Sequence, residues 1–247
     1  MKTHKVFGCL ALACMVASTS AMADVAGRYE TKDENAVIAM EMTVEADDAG
    51  SVRFQMAGVG MYYLLRGEEL FVVQKDSDGF SVSRMADLLT VQQEAMSRLG
   101  WKGVEMSDGQ SPPTVEFASM GEEAVGRRTG TGYGIVSETN KEPMYAAVVI
   151  GNDPKLAPLG QALAAAQDAS IKGMGSMGSM LGMMNAQMID LLQKGAPLRM
   201  LQIELTDVSF DPIPQSRFDL LAEPLTLNQL RANLAVAVEP PPTLPAR

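Results

Sequence analysis

Residues 38–56 read Ile38-Ala39-Met40-Glu41-Met42-Thr43-Val44-Glu45-Ala46-Asp47-Asp48-Ala49-Gly50-Ser51-Val52-Arg53-Phe54-Gln55-Met56. Ile38, Met40, Met42, Val44 and Ala46 fall on one side of an extended chain, and Ala39, Glu41, Thr43 and Glu45 on the other. A period of two over this length is the signature of a half-buried strand. Asp47-Asp48-Ala49-Gly50 is turn chemistry. Val52, Phe54 and Met56 then resume the alternation against Arg53 and Gln55. A one-residue slip would turn every apolar residue to the wrong face, so the two strands must pair even with even. Ala46 then lies opposite Val52 and Glu45 opposite Arg53, an ion pair expected on an exposed polar face and worth at most ~1 kcal/mol there.

The same pattern continues downstream. Strands are predicted at Met61–Leu65, Leu70–Gln74 and Phe80–Val82, separated by Gly67-Glu68-Glu69 and Asp76-Ser77-Asp78-Gly79. Connections this short join antiparallel neighbours, so the first half reads as a β-meander. A helix follows from Met85 to Leu99, capped by Gly100, and Trp101–Pro113 reads as a loop. Strands return at Val115–Ser119, Glu123–Arg127, Gly132–Ser137 and Tyr145–Ile150. Gly130-Thr131-Gly132-Tyr133-Gly134 lacks the strand-to-helix context and the lysine of a phosphate loop, and reads instead as a strand with a bend or bulge.

Asp153 as N-cap and Pro154 at the first helical position open an Ala-rich helix that runs to about Lys172. A second helical segment ends before Gly195 and Pro197. One long strand from Leu198 to Phe210, a last strand at Arg217–Leu220 and a helix over Leu227–Ala237 complete the reading. The fold class predicted is α+β, with helices on one face of an antiparallel sheet. Residues 24–238 form a single β-rich domain with a helical insert at about 153–194, and 239–247 form an extended Pro-rich tail.

Residues 1–23 have the three parts of a secretory signal. Lys2 and Lys5 precede the apolar run Val6–Val16, and Ala21-Met22-Ala23 offers a cleavage site before Asp24. That run is far short of the roughly 20 residues a spanning helix needs. The expected location is the periplasm. Cleavage would remove Cys9, Cys14 and His4, the only residues of their kinds. The mature chain would then have no thiol nucleophile, no Ser-His-Asp triad and no thiolate or imidazole metal site, so a non-enzymatic protein without cofactor is predicted. Two of 20 basic residues also leave with the signal, giving 18 against 30 acidic, a net charge of −12. Such a chain is repelled by nucleic acid, and Arg127-Arg128 is its one basic cluster.

Six methionines fall between Met174 and Met188. On a helix, Met174, Met177, Leu181, Met184, Met188 and Leu191 form one apolar stripe. Gly173, Gly175, Gly178 and Gly182 each cost roughly 1 kcal/mol against alanine there, and methionine suits surfaces that must adapt. Three readings stand: a deformable lid over an apolar ligand, a stripe packed into the core, or a thioether site for Cu(I). The ligand-binding candidates are Met174, Met177, Leu181, Met184 and Met188, with Met40, Met42 and Phe54 from the first hairpin. Binding or shielding of an apolar molecule such as an acyl chain is the function predicted, without stable membrane insertion. An envelope structural or interaction protein without small ligand is the alternative class. Oligomeric state is not legible.

Gly132-Tyr133, the strand before Asn152-Asp153-Pro154, and Arg217-Phe218-Asp219 together resemble a periplasmic family grouped with the lipoprotein carriers LolA and LolB. The chain departs from it at Gly134, where a Cys is frequent, and has no Trp in Tyr145–Ile150. The resemblance implies a strongly curved, unclosed antiparallel barrel with helices on its concave face, where the carriers hold acyl chains.

Overall fold

The computed structural model describes residues 24–32, 39–98, 116–136, 141–173 and 186–238. In chain order the strands are β1 (Val25–Thr31), β2 (Glu41–Ala46), β3 (Val52–Met56), β4 (Met61–Arg66), β5 (Glu69–Asp76) and β6 (Gly79–Arg84). Helix α1 (Met85–Arg98) separates them from β7 (Glu116–Val125), β8 (Arg128–Val136) and β9 (Val148–Gly151). Then come α2 (Ala157–Gly173), α3 (residues 186–194), β10 (Pro197–Met200), β11 (Ile203–Ser209) and α4 (Leu227–Val238). The architecture is α+β. Its eleven strands form one sheet in the order β6-β5-β4-β3-β2-β1-β11-β10-β9-β8-β7, and the sheet does not close. Two meanders, β1–β6 and β7–β11, join along the antiparallel pair β1–β11.

The first hairpin has the register its alternation dictates: Ala46 lies opposite Val52, Glu45 opposite Arg53 and Val44 opposite Phe54. Val25, Ala46, Val52, Leu65 and Leu70 continue one cross-strand row from β1 to β5, all buried. Helix α2 lies on this face. Its Leu159 is fully buried and touches the sheet over Gly27, where an added Cβ would sit 2.6 Å from a Leu159 methyl. Full burial of such a leucine contributes about 1.5–3 kcal/mol. Ala162, Ala164, Ala166 and Ala169 are also buried, so small side chains let the helix sit close. Asp153 caps the start as its position predicts, accepting from the Lys155 amide at 3.0 Å, although the first turn, Pro154–Leu156, is 3₁₀.

Several expectations are corrected. Alternation predicts no strand before Ile38, yet β1 lies in the middle of the sheet. Gly27 occupies one of its core-facing positions, which empties the apolar pattern there. The reading of 115–127 as two strands fails because β7 is continuous, with a bulge between Ser119 and Gly121 that breaks the alternation. Leu198–Phe210 is not one strand. Leu201, at φ 53°, and Gln202 turn the chain between β10 and β11, so Met200 pairs with Ile203. Arg217–Leu220 is not a strand either: Gln215–Phe218 is a 3₁₀ turn.

That last segment changes the burial of half the sheet. Phe218 is fully buried, and with Ile213, Leu220 and Ala222 it covers Tyr62, Leu64, Phe71, Val73 and Val82. These residues lie on the side opposite to α2, so β4 and β5 are buried on both faces. The Glu45–Arg53 pair lies under the same strap. Its side chains are 14 % and 10 % exposed, so the exposed surface pair expected from the sequence is corrected to a buried one. Arg217 grips Glu45 from outside through Nη2, at 2.7 and 2.8 Å to the two carboxylate oxygens.

Candidate functional site

Around β1 the α2-bearing face carries a band of apolar side chains that the core does not fully cover. Tyr29 lies between Met42 on β2 and Leu205 on β11, and Met42 lies opposite Met56 on β3. The next row runs from Thr31 through Ile203 and Met200 to Val148 and Tyr133. Alternation places both rows on one face. Met42, Phe54, Tyr63, Leu163, Met200 and Ile203 are half-buried against the main core. Phe54 and Tyr63 face each other across β3 and β4 and stack with ring centroids 4.6 Å apart. Leu163 belongs to α2, which bounds the band on one side. On the other, Met188 and Leu191 of α3 pack with Val148, Ile150, Phe117 and Tyr133. Gln187 ties α3 to β7 by accepting from the Phe117 amide at 3.0 Å.

Tyr29 places a fully buried hydroxyl within the band. Its hydroxyl is buried without a hydrogen-bond partner among the described residues, and burial drives its pKa far above the usual tyrosine value. It stays neutral at any physiological pH, so it offers neither a base nor an anion. Apart from the hydroxyls of Thr31, Tyr63 and Tyr133, the other side chains of the band are thioethers, aliphatics and aromatic rings, which recognise apolar surface by area and shape.

Of the residues singled out from sequence, the structure brings Met42 and Phe54 into the band. Met188 lies at its α3 margin. Met40 lies just before β2, where its amide donates to Thr31 Oγ1 at 2.9 Å. Met174, Met177, Leu181 and Met184 lie outside the described residues. Sequence reasoning missed Tyr29, Tyr63, Leu163, Met200 and Ile203. Tyr63 was not recoverable by extending the even-to-even register, because β3 pairs with β4 even to odd, with Phe54 opposite Tyr63. Nor was Met200, because a single strand through Leu198–Phe210 puts it on the face opposite Ile203.

Among the described residues, no helix is long and apolar enough to cross a membrane, and no cluster of three or more His, Cys, Asp or Glu is placed to hold a metal ion. No family model, curated protein or solved structure matches the chain.

Proposed function

We propose that the protein is exported to the periplasm and binds or shields an apolar ligand, such as an acyl chain, on the band between α2 and α3, without catalysing a reaction. The carrying observation is the half-buried set Met42, Phe54, Tyr63, Leu163, Met200 and Ile203, drawn from five strands and one helix on a single face. The resemblance to the lipoprotein carriers implies a sheet that would curve around α2 and α3 with the band on its concave side. Burial of about ten methylenes at about 0.8 kcal/mol each yields roughly 8 kcal/mol, near micromolar affinity before ordering costs.

The test is displacement of a fluorescent fatty acid from the protein beginning at Asp24. Wild type should take up the probe, and Phe54→Ser, which removes a stacked ring from the band, should weaken uptake about ten-fold or more. A wild type that takes up no probe, or a Phe54→Ser protein that binds it equally well, overturns the reading.

A further inference from the structure

Among the described residues, five arginines are buried or half-buried: Arg53, Arg84, Arg128, Arg199 and Arg231. Four of them hold a carboxylate: Glu45, Glu69, Glu204 and Glu94 respectively. Arg128 holds none among the described residues. It opens β8, directly after the tip of the β7–β8 hairpin. From there its Nη1 reaches back to the Leu205 carbonyl at 3.5 Å, a long bond to a neutral acceptor. β10 pairs with β11 only at Arg199–Glu204 and Met200–Ile203, so Leu205 lies where the two strands have parted. The same guanidinium acts electrostatically on the Tyr29 hydroxyl, which has no hydrogen-bond partner among the described residues.

Arg128 also lines a cleft of about 350 Å³. Arg127, Asn152 and Asp153 share its rim, and the buried Leu156 and Leu198 form its floor. Gly151 adds no side chain to the opening. Asp153 is engaged elsewhere: its Oδ1 caps the turn at Lys155, and neither arginine is within ion-pair distance of it. A half-buried guanidinium that has lost hydration and gained no counter-ion favours an oxyanion, and its planar fork suits two oxygens on one centre. An apolar floor favours an organic anion over a hydrated inorganic one.

We propose that this cleft binds a small organic oxyanion, with Arg128 and Arg127 as its counter-ions and Leu156 and Leu198 beneath its apolar part. The carboxylate end of an acyl ligand and a free small anion present the same chemistry. The site stands independently of the apolar band.

Titrations of octanoate, octanol and inorganic phosphate, followed by amide NMR shifts at Gly151 and Asn152, test it. Octanoate should shift these amides and bind about ten-fold or more tightly than octanol, the difference expected of a charge-assisted pair. Phosphate that competes with octanoate points to a free anion, and phosphate that fails to compete points to an acyl ligand. Arg128→Met should abolish the preference for octanoate and Arg128→Lys should retain part of it. Arg66→Gln, at an exposed arginine on β4, should leave it unchanged. The Phe54→Ser protein should keep the preference even if fatty-acid uptake at the band fails. Equal binding of octanoate and octanol by wild type, or an unaltered preference in Arg128→Met, overturns the proposal.

Discussion

Replacement of Glu45 by alanine should cost far more than an exposed ion pair is worth. Arg53 is 10 % exposed in its side chain and lies beneath the strap that Phe218 anchors. Its Nη1 donates to Glu45 at 3.2 Å, its Nη2 to Gln55 at 2.9 Å, and its guanidinium carbon stands 4.2 Å from the centre of the Tyr62 ring. Nε has no partner. Glu45→Ala therefore leaves a buried cation with a ring face and one amide oxygen. Loss of one partner from a buried pair costs about 3–5 kcal/mol, and the remaining contacts favour the lower end, about 3 kcal/mol. Arg217→Ala removes the other arginine on the same carboxylate, but that side chain is 45 % exposed. Solvent screening limits its loss to about 1 kcal/mol or less. Combining Glu45→Ala with Arg53→Met removes the stranded charge and retains apolar volume, so the double variant should be more stable than Glu45→Ala alone. Urea unfolding midpoints, read only where the slope is unchanged, measure all three. A Glu45→Ala loss no larger than that of Arg217→Ala, or a double variant no more stable than the single, would show that water reaches Arg53 and would refute the reasoning.

Leu201 holds a left-handed φ of 53° at the first central position of the β10–β11 turn, a position that favours glycine, and it is 65 % exposed. Leu201→Gly should relieve that strain at little packing cost, raising stability by up to about 1 kcal/mol and the melting temperature by up to ~4 °C; a fall in melting temperature would contradict this account. Arg231 of α4 donates to both carboxylate oxygens of Glu94 on α1, at 2.8 and 2.7 Å, and these hydrogen bonds hold Glu94 below the ordinary carboxylate pKa. A folded-state value below the unfolded one means that the contribution is present at neutral pH and is lost as pH falls below about 4. Between neutral pH and about pH 3 the stability of Glu94→Gln should accordingly fall less than that of wild type, and parallel stability curves over that range would rule the pair out as a contributor.

The sequence determined by itself whatever is encoded within a few residues. Period-two alternation and the Asp47–Gly50 turn set the register of β2 and β3 without reference to the rest of the chain. Helix α1 and the capped entry to α2 were legible for the same reason, since both are settled by neighbours one turn away. The membership of Met42 and Phe54 in the band followed from that register. Only the tertiary structure decided the rest, because the deciding partners are distant in sequence. Glu45 and Arg217 are 172 residues apart, and without the strap the polar face of β2 and β3 reads as exposed. The central place of β1 rests on its pairing with β11, far along the chain, and Leu159 of α2 fills the space over its Gly27. Met200 joins the band only because one leucine adopts a turn conformation that its residue type disfavours. Arg128 and the Leu205 carbonyl are 77 residues apart, and that arginine stands out only once the other buried and half-buried arginines are seen to be paired. Local periodicity encodes which face a side chain takes; it carries no information about what will cover that face.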